Sequence, residues 1–139
     1  MTLSIGFIGY SSTQFNAKMA KNIIERVFDS ILSNYDNTEI EIVSGLTNVG
    51  IPAIVYDTAS NLDIKTVGIA CNLAKDYECF PVDEKIIVGT EWGDESKTFI
   101  NRIDLLVKIG GGKQSDKEAE MFKIKKGNKG FFNFELPST

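Results

Sequence analysis

Short apolar runs alternate with amphipathic stretches along the whole chain. Leu3-Ser4-Ile5-Gly6-Phe7-Ile8-Gly9 is short and mainly apolar, the pattern of a strand buried on both faces. From Thr13 to about Ser33, Phe15, Met19, Ile23, Val27 and Ile31 recur at i, i+4 spacing. Ala20, Ile24 and Phe28 widen that stripe, and Lys18, Lys21, Glu25, Arg26 and Asp29 fall mainly outside it, which predicts an amphipathic helix. Asn34-Tyr35-Asp36-Asn37 ends it as a turn. Glu39-Ile40-Glu41-Ile42-Val43 alternates as a second strand. Pro52 opens a second helix at a position where its missing amide hydrogen costs nothing, and Ile54, Val55 and Ala59 carry it to Ser60-Asn61. Further strands are predicted at Thr66–Cys71, Lys85–Val88, Asp104–Ile109 and Gly130–Phe134, with helices at Lys97–Ile103 and Ser115–Lys125.

Strands alternating with helices across short loops define parallel βαβ units. The expected fold class is α/β: one three-layer Rossmann-like sandwich with a mainly parallel sheet, a single domain over residues 1–139. In such sheets ligands bind outside the carboxyl ends of the strands, near the point where the strand order reverses. Those ends share a composition here. The first exits into Gly9-Tyr10-Ser11-Ser12-Thr13, the second into Ser44-Gly45-Leu46-Thr47-Asn48-Val49-Gly50, the fourth into Gly89-Thr90-Glu91-Trp92-Gly93-Asp94 and the fifth into Gly110-Gly111-Gly112-Lys113-Gln114-Ser115. Glycines admit close backbone approach, and a helix N-terminus offers unpaired amides to an anion, so the last turn is the best phosphate cradle. It is not a Walker sequence, because Gln114 interrupts Gly-Lys-Ser.

The candidate ligand-binding residues are therefore Gly9, Tyr10, Ser11, Ser12, Gly45, Thr47, Asn48, Trp92, Gly110, Gly111, Gly112, Lys113, Gln114 and Ser115. Glu118, one turn into the following helix, is the candidate catalytic acid; the alternative is a solvated surface charge. Trp92 either stacks on a base or ribose or packs on the neighbouring helix, and Glu91, Asp94 and Glu95 around it read as solvated charges, with contact of one of them to a ribose hydroxyl the alternative.

Composition narrows the chemistry. The chain has no histidine, which removes Ser–His and Cys–His nucleophile pairs and the commonest general base and metal ligand. Cys71 and Cys79 match no metal or redox spacing and read as reduced thiols of a cytoplasmic protein. No metal and no cofactor are implied. Fifteen Lys and Arg against 19 Asp and Glu give a net charge of −4, which argues against a duplex nucleic-acid partner. No apolar run approaches the ~20 residues of a membrane span, and Met1–Ser12 carries neither a basic region nor a cleavage site, so no membrane partner is expected. Ile51, Ile54, Val55 and Tyr56 are more apolar than one buried stripe requires, which offers a face for a homodimer or higher homo-oligomer.

The two segments Ser44–Pro52 and Ile109–Glu118 resemble the SLOG superfamily, which includes the LOG phosphoribohydrolases, once misnamed lysine decarboxylases, and ligand-sensing Rossmann domains. The likeness spans Ile5 to about Met121. The family's Pro-Gly-Gly-X-Gly-Thr-X-X-Glu pattern maps two glycines on Gly111 and Gly112, its threonine on Ser115 and its acid on Glu118. Gly110 replaces its proline, Gln114 its third glycine, and Leu46 a glycine of the first motif. Where LOG enzymes carry an Arg-Lys pair, this chain reads Asp94-Glu95-Ser96-Lys97-Thr98, and Arg102 lies too close to the strand to substitute.

Two functions follow from the resemblance. One is a sensor or sequestering module for a nucleotide or nucleotide-sugar, such as an ADP-ribose derivative or a nucleoside monophosphate. The other is hydrolysis of the N-glycosidic bond of a nucleoside 5′-monophosphate, with Glu118 acting at the ribose and Lys97 standing in for the missing arginine.

Overall fold

The computed structural model describes residues 2–36 and 38–139; Asn37, the last residue of the predicted turn, lies outside them. Six strands and four α-helices alternate as β1 (Thr2–Gly9), α1 (Ala17–Asn34), β2 (Glu39–Ser44), α2 (Gly50–Asn61), β3 (Lys65–Ala70), β4 (Glu84–Ile87), α3 (Ser96–Arg102), β5 (Leu105–Ile109), α4 (Lys113–Lys126) and β6 (Phe131–Phe134). The strands form one sheet in the order β4-β3-β2-β1-β5-β6, and every pairing is parallel. The fold is a Rossmann-like three-layer sandwich, with its sheet wholly rather than mainly parallel.

Strand periodicity sorts the apolar side chains onto two faces. Ile5 and Phe7 of β1, with Val107 and Ile109 of β5, pack under α1 and α2 against Ile24, Phe28 and Val55. The Phe7 and Phe28 rings stack at 5.5 Å. On the opposite face Ile8, Val43 and Leu106 meet Phe99, Ile103, Ala119 and Phe122 of α3 and α4. The chain thus runs outward from β1 to β4 beneath one helical layer, then crosses to β5 and continues beneath the other. The strand order reverses between β1 and β5.

Three expectations change. Helix α1 begins at Ala17 rather than Thr13, because Asn16 caps it by accepting the Met19 amide at 3.0 Å. The polar segment before it bends at residues 11–13 and bridges to Ser138 at Phe15, and Met19 is 45 % exposed although it sits on the apolar stripe. Helix α4 begins at Lys113, so Lys113 and Gln114 belong to its first turn and only Gly110–Gly112 forms the loop. Finally, α2 has little apolar surface left over for a partner. Ile51, Val55 and Tyr56 are buried within the chain, and the Tyr56 hydroxyl lies 2.7 and 2.8 Å from the carbonyl oxygens of Gly45 and Val67. A hydroxyl that bridges two strands explains why this tyrosine points inward.

The amino edge of the sheet is held by charge. Arg102, at the end of α3, donates to both carboxylate oxygens of buried Glu41 at 2.7 and 3.0 Å and to Glu84 at 3.1 Å. Ser4 donates to Glu41 at 2.6 Å, and Lys65 lies 3.0 Å from Glu84. The Arg102 guanidinium holds the Glu41 carboxyl below its ordinary range and the Glu84 carboxyl at about 2.

Candidate functional site

At the carboxyl edge, two loops meet where the strand order reverses. The loop after β1 turns back at Tyr10, whose carbonyl accepts the Ile51 amide at 2.8 Å. That contact brings the loop against Gly50, which adopts φ +64°; a Cβ there would strike the Tyr10 carbonyl and the backbone of Ser11. The loop after β5 turns through Gly110 (φ +59°) and Gly111 (φ +128°). Lys108 braces it from below, donating to the Gly110 carbonyl at 2.8 Å and pairing with Asp116 in the first turn of α4 at 3.2 Å. Gly112 caps α4 without a side chain, so its first amides have no side-chain partner. Ser115 ties the two loops together, its hydroxyl donating to the Gly9 carbonyl at 3.3 Å.

Between these loops and the ends of β2 and β3 lies a cleft of about 140 Å³. Of the candidate residues, Gly9, Ser11, Gly45, Thr47, Trp92, Gln114, Ser115 and Glu118 line it. Tyr10, Ser12, Asn48, Gly110, Gly111, Gly112 and Lys113 do not. Tyr10 stacks on Phe15 at 5.9 Å, and Asn48 is turned away to Glu78, donating through its side chain at 2.9 Å. Ser12 is exposed; Gly110–Gly112, the shoulder that leads into α4, are not among the lining residues, and Lys113 is exposed after them. Lys97 is exposed and Arg102 is committed to the far edge, so neither enters the cleft.

Glu118 is 6 % exposed, not a solvated surface charge. Its Oε2 accepts the Ser96 hydroxyl at 2.8 Å and the Gln114 side-chain amide at 3.5 Å. Burial pushes its pKa up to about 7 against the two hydrogen bonds, and the neighbouring Glu95 charge pushes the same way. Glu95 corrects a second expectation. It is 5 % exposed, with Oε1 accepting the Gly93 amide at 2.7 Å and Oε2 facing the Gln114 amide at 3.4 Å. Gln114 thereby spans both carboxyl groups. Asp94 instead caps its own loop, accepting the Thr90 and Glu91 amides at 3.0 Å, and these bonds lower its pKa. Trp92 is 47 % exposed at the mouth, its ring tilted against that of Tyr77 at 5.9 Å.

Ser96 is a site residue that the sequence reading omits, and Glu95 is one it singles out only among three acids of the loop. A signal for them is present: Glu95 lies four residues before Phe99 and one turn before the stripe Phe99-Ile100-Ile103, so its side chain falls on the inward side of α3's first turn.

The residues define a class: a doubly wound parallel α/β domain with a cleft at the point where its strand order reverses. No protein-family model matches the chain, and no curated protein matches it. Among the described residues no group of His, Cys, Asp and Glu is arranged to hold a metal, and no helix is long and apolar enough to cross a membrane.

Proposed function

We propose that the chain binds a nucleotide or nucleotide-sugar at the carboxyl edge of its sheet, as a sensor or sequestering protein. The observation that carries this reading is the cleft's position: it opens at the strand-order reversal, beside the first turn of α4, whose amides have no side-chain cap. Amides of Gly111 to Ser115 face an anion at the outer shoulder, and Trp92 offers a ring face to a base. The likeness of Ile109–Glu118 to the SLOG motif supports the same ligand class. Two unpaired thiols, Cys71 buried and Cys79 half-buried, suit a reducing cytoplasm. Association into a homodimer is part of the proposal by resemblance alone, and light scattering tests it.

A second reading, N-glycosidic phosphoribohydrolysis, is favoured by one specific observation. A buried carboxyl with a pKa of about 7 is poised to donate or accept a proton at neutral pH. Against it, no Lys or Arg lines the cleft among the described residues to neutralise a phosphate beside the reacting sugar. Incubation with AMP, other nucleoside monophosphates and ADP-ribose separates the readings, following thermal shift and release of free base together. Binding predicts a shift without base release. Base release that vanishes in Glu118→Ala establishes the enzyme, and no shift with any nucleotide overturns both.

A further inference from the structure

The inner end of the cleft is acidic and small, and those two properties decide which part of a ligand enters. Glu95 and Glu118 both line it, each more than nine-tenths buried, and no cation lines it among the described residues. Glu95 has both oxygens engaged, Oε1 by the Gly93 amide and Oε2 by Gln114. Glu118 has Oε2 engaged, while no described residue donates to its Oε1. That Oε1 is open to the cleft rather than enclosed, which leaves it able to accept a donor from the ligand. A volume near 140 Å³ is about that of a cavity that accepts one benzene-sized ring, ~150 Å³, so a whole nucleotide does not fit. The rest of the molecule must remain at the mouth, where Trp92 and Tyr77 present exposed aromatic rings and α4 presents its amides.

Resting on the nucleotide reading above, we propose that the ligand enters by the hydroxylated edge of its sugar, and that Glu95 makes the cleft reject any ligand phosphorylated on that edge. Ribose 2′- and 3′-hydroxyls donate to the Glu118 carboxyl, while the 5′ substituent points outward to the shoulder of α4. Glu95 is the selective element. Its fixed negative charge adds little to the binding of a neutral diol, yet opposes a phosphate brought into a desolvated site. The site therefore discriminates by where the phosphate is attached, not by whether one is present.

Calorimetric titration at constant pH and ionic strength with adenosine, 5′-AMP and 3′-AMP tests this, on the wild type and on Glu95→Gln. The wild type is expected to bind adenosine and 5′-AMP, and 3′-AMP at least about tenfold more weakly than 5′-AMP. Glu95→Gln, which keeps the shape and one acceptor, is expected to narrow the gap between 3′-AMP and 5′-AMP severalfold, a ratio in which any general loss of affinity cancels. Equal wild-type affinity for 3′-AMP and 5′-AMP, or a gap unchanged by Glu95→Gln, overturns the selectivity while leaving nucleotide binding intact. No binding of any of the three, nor of ADP-ribose, overturns the nucleotide reading itself. A Glu95→Gln protein whose far-ultraviolet dichroism differs from the wild type is replaced by Glu95→Asp, which retains the charge on a shorter stem and is expected to preserve the discrimination.

Discussion

Glu118 ties the cleft's chemistry to the stability of the fold. Unfolded, a glutamate titrates near 4.5; folded, this one titrates near 7, so between those values the native state holds a proton that the unfolded chain has released. A raised carboxyl pKa destabilises the ionised form, so stability is expected to fall as pH rises from about 4.5 to 7 and then level off. The loss attributable to this one group is on the order of 2–3 kcal/mol. Urea unfolding at pH 5 and pH 8 measures it, and Glu118→Gln should flatten the difference because an amide carries no titrating proton. A wild type no less stable at pH 8 than at pH 5 would contradict the assignment. The glycines make a second residue-scale prediction. Gly111 sits at φ +128°, and a Cβ on it would lie 2.8 Å from the Ser115 Cβ, so Gly111→Ala should cost about 1–3 kcal/mol and displace α4's first turn. Gly112→Ala meets no atom within 4 Å and should cost less, a contrast that thermal unfolding of the two variants checks.

Among the elements, the carboxyl edge is open while the amino edge is latched. Arg102 joins α3 to β2 and β4 through Glu41 and Glu84, and Ser4 brings in β1. Arg102→Met leaves buried Glu41 with only the half-exposed Lys65 ammonium, 3.5 Å away, as a cation and should destabilise by about 3 kcal/mol in denaturant titration. Removing both partners, as Arg102→Met with Glu41→Met, should recover most of that loss; a double variant as unstable as the single one would show that the latch does not act through the pair. This network explains what periodicity left out. Arg102 and Glu41 read as ordinary polar positions, since nothing local announces that strand β2 presents its glutamate to a helix 61 residues away. The elements themselves were legible because the strands are short apolar or alternating runs and α1 carries an amphipathic stripe. Their ends were less so. Asn16 captures the Met19 amide and moves the start of α1, and the 3₁₀ turn at Asn72–Asp76 follows no apolar period. The same reason hid Glu95 in a loop rich in glycine and acid, where only its spacing to Phe99 carried information.

On the scale of the whole molecule, a net charge of −4 is distributed so that the cleft floor is acidic and the end of α4 basic. Lys123, Lys125 and Lys126 occupy the last turn of α4, where they complement its dipole; Lys126 reaches the Ile103 carbonyl and Lys125 the Asn101 side chain. Those cations therefore serve the fold and stand away from the residues lining the cleft. Where the strand order reverses, the sequence pattern was enough to place the cleft, because loop composition alone gathered glycine and hydroxyl residues on one edge. It was not enough to separate the shoulder, Gly110–Lys113, from the lining residues Gln114, Ser115 and Glu118, because that division depends on α4 beginning two residues earlier than its apolar pattern shows. The central claim is that this edge takes a nucleotide, and amide chemical-shift mapping of the ¹⁵N-labelled protein titrated with 5′-AMP tests it most directly. Shifts gathered on Gly9 to Ser11, Thr47, the Trp92 indole and Gly111 to Glu118 are predicted; shifts confined to the apolar groove lined by Tyr35, Leu105 and Phe132, or none at all, would contradict it.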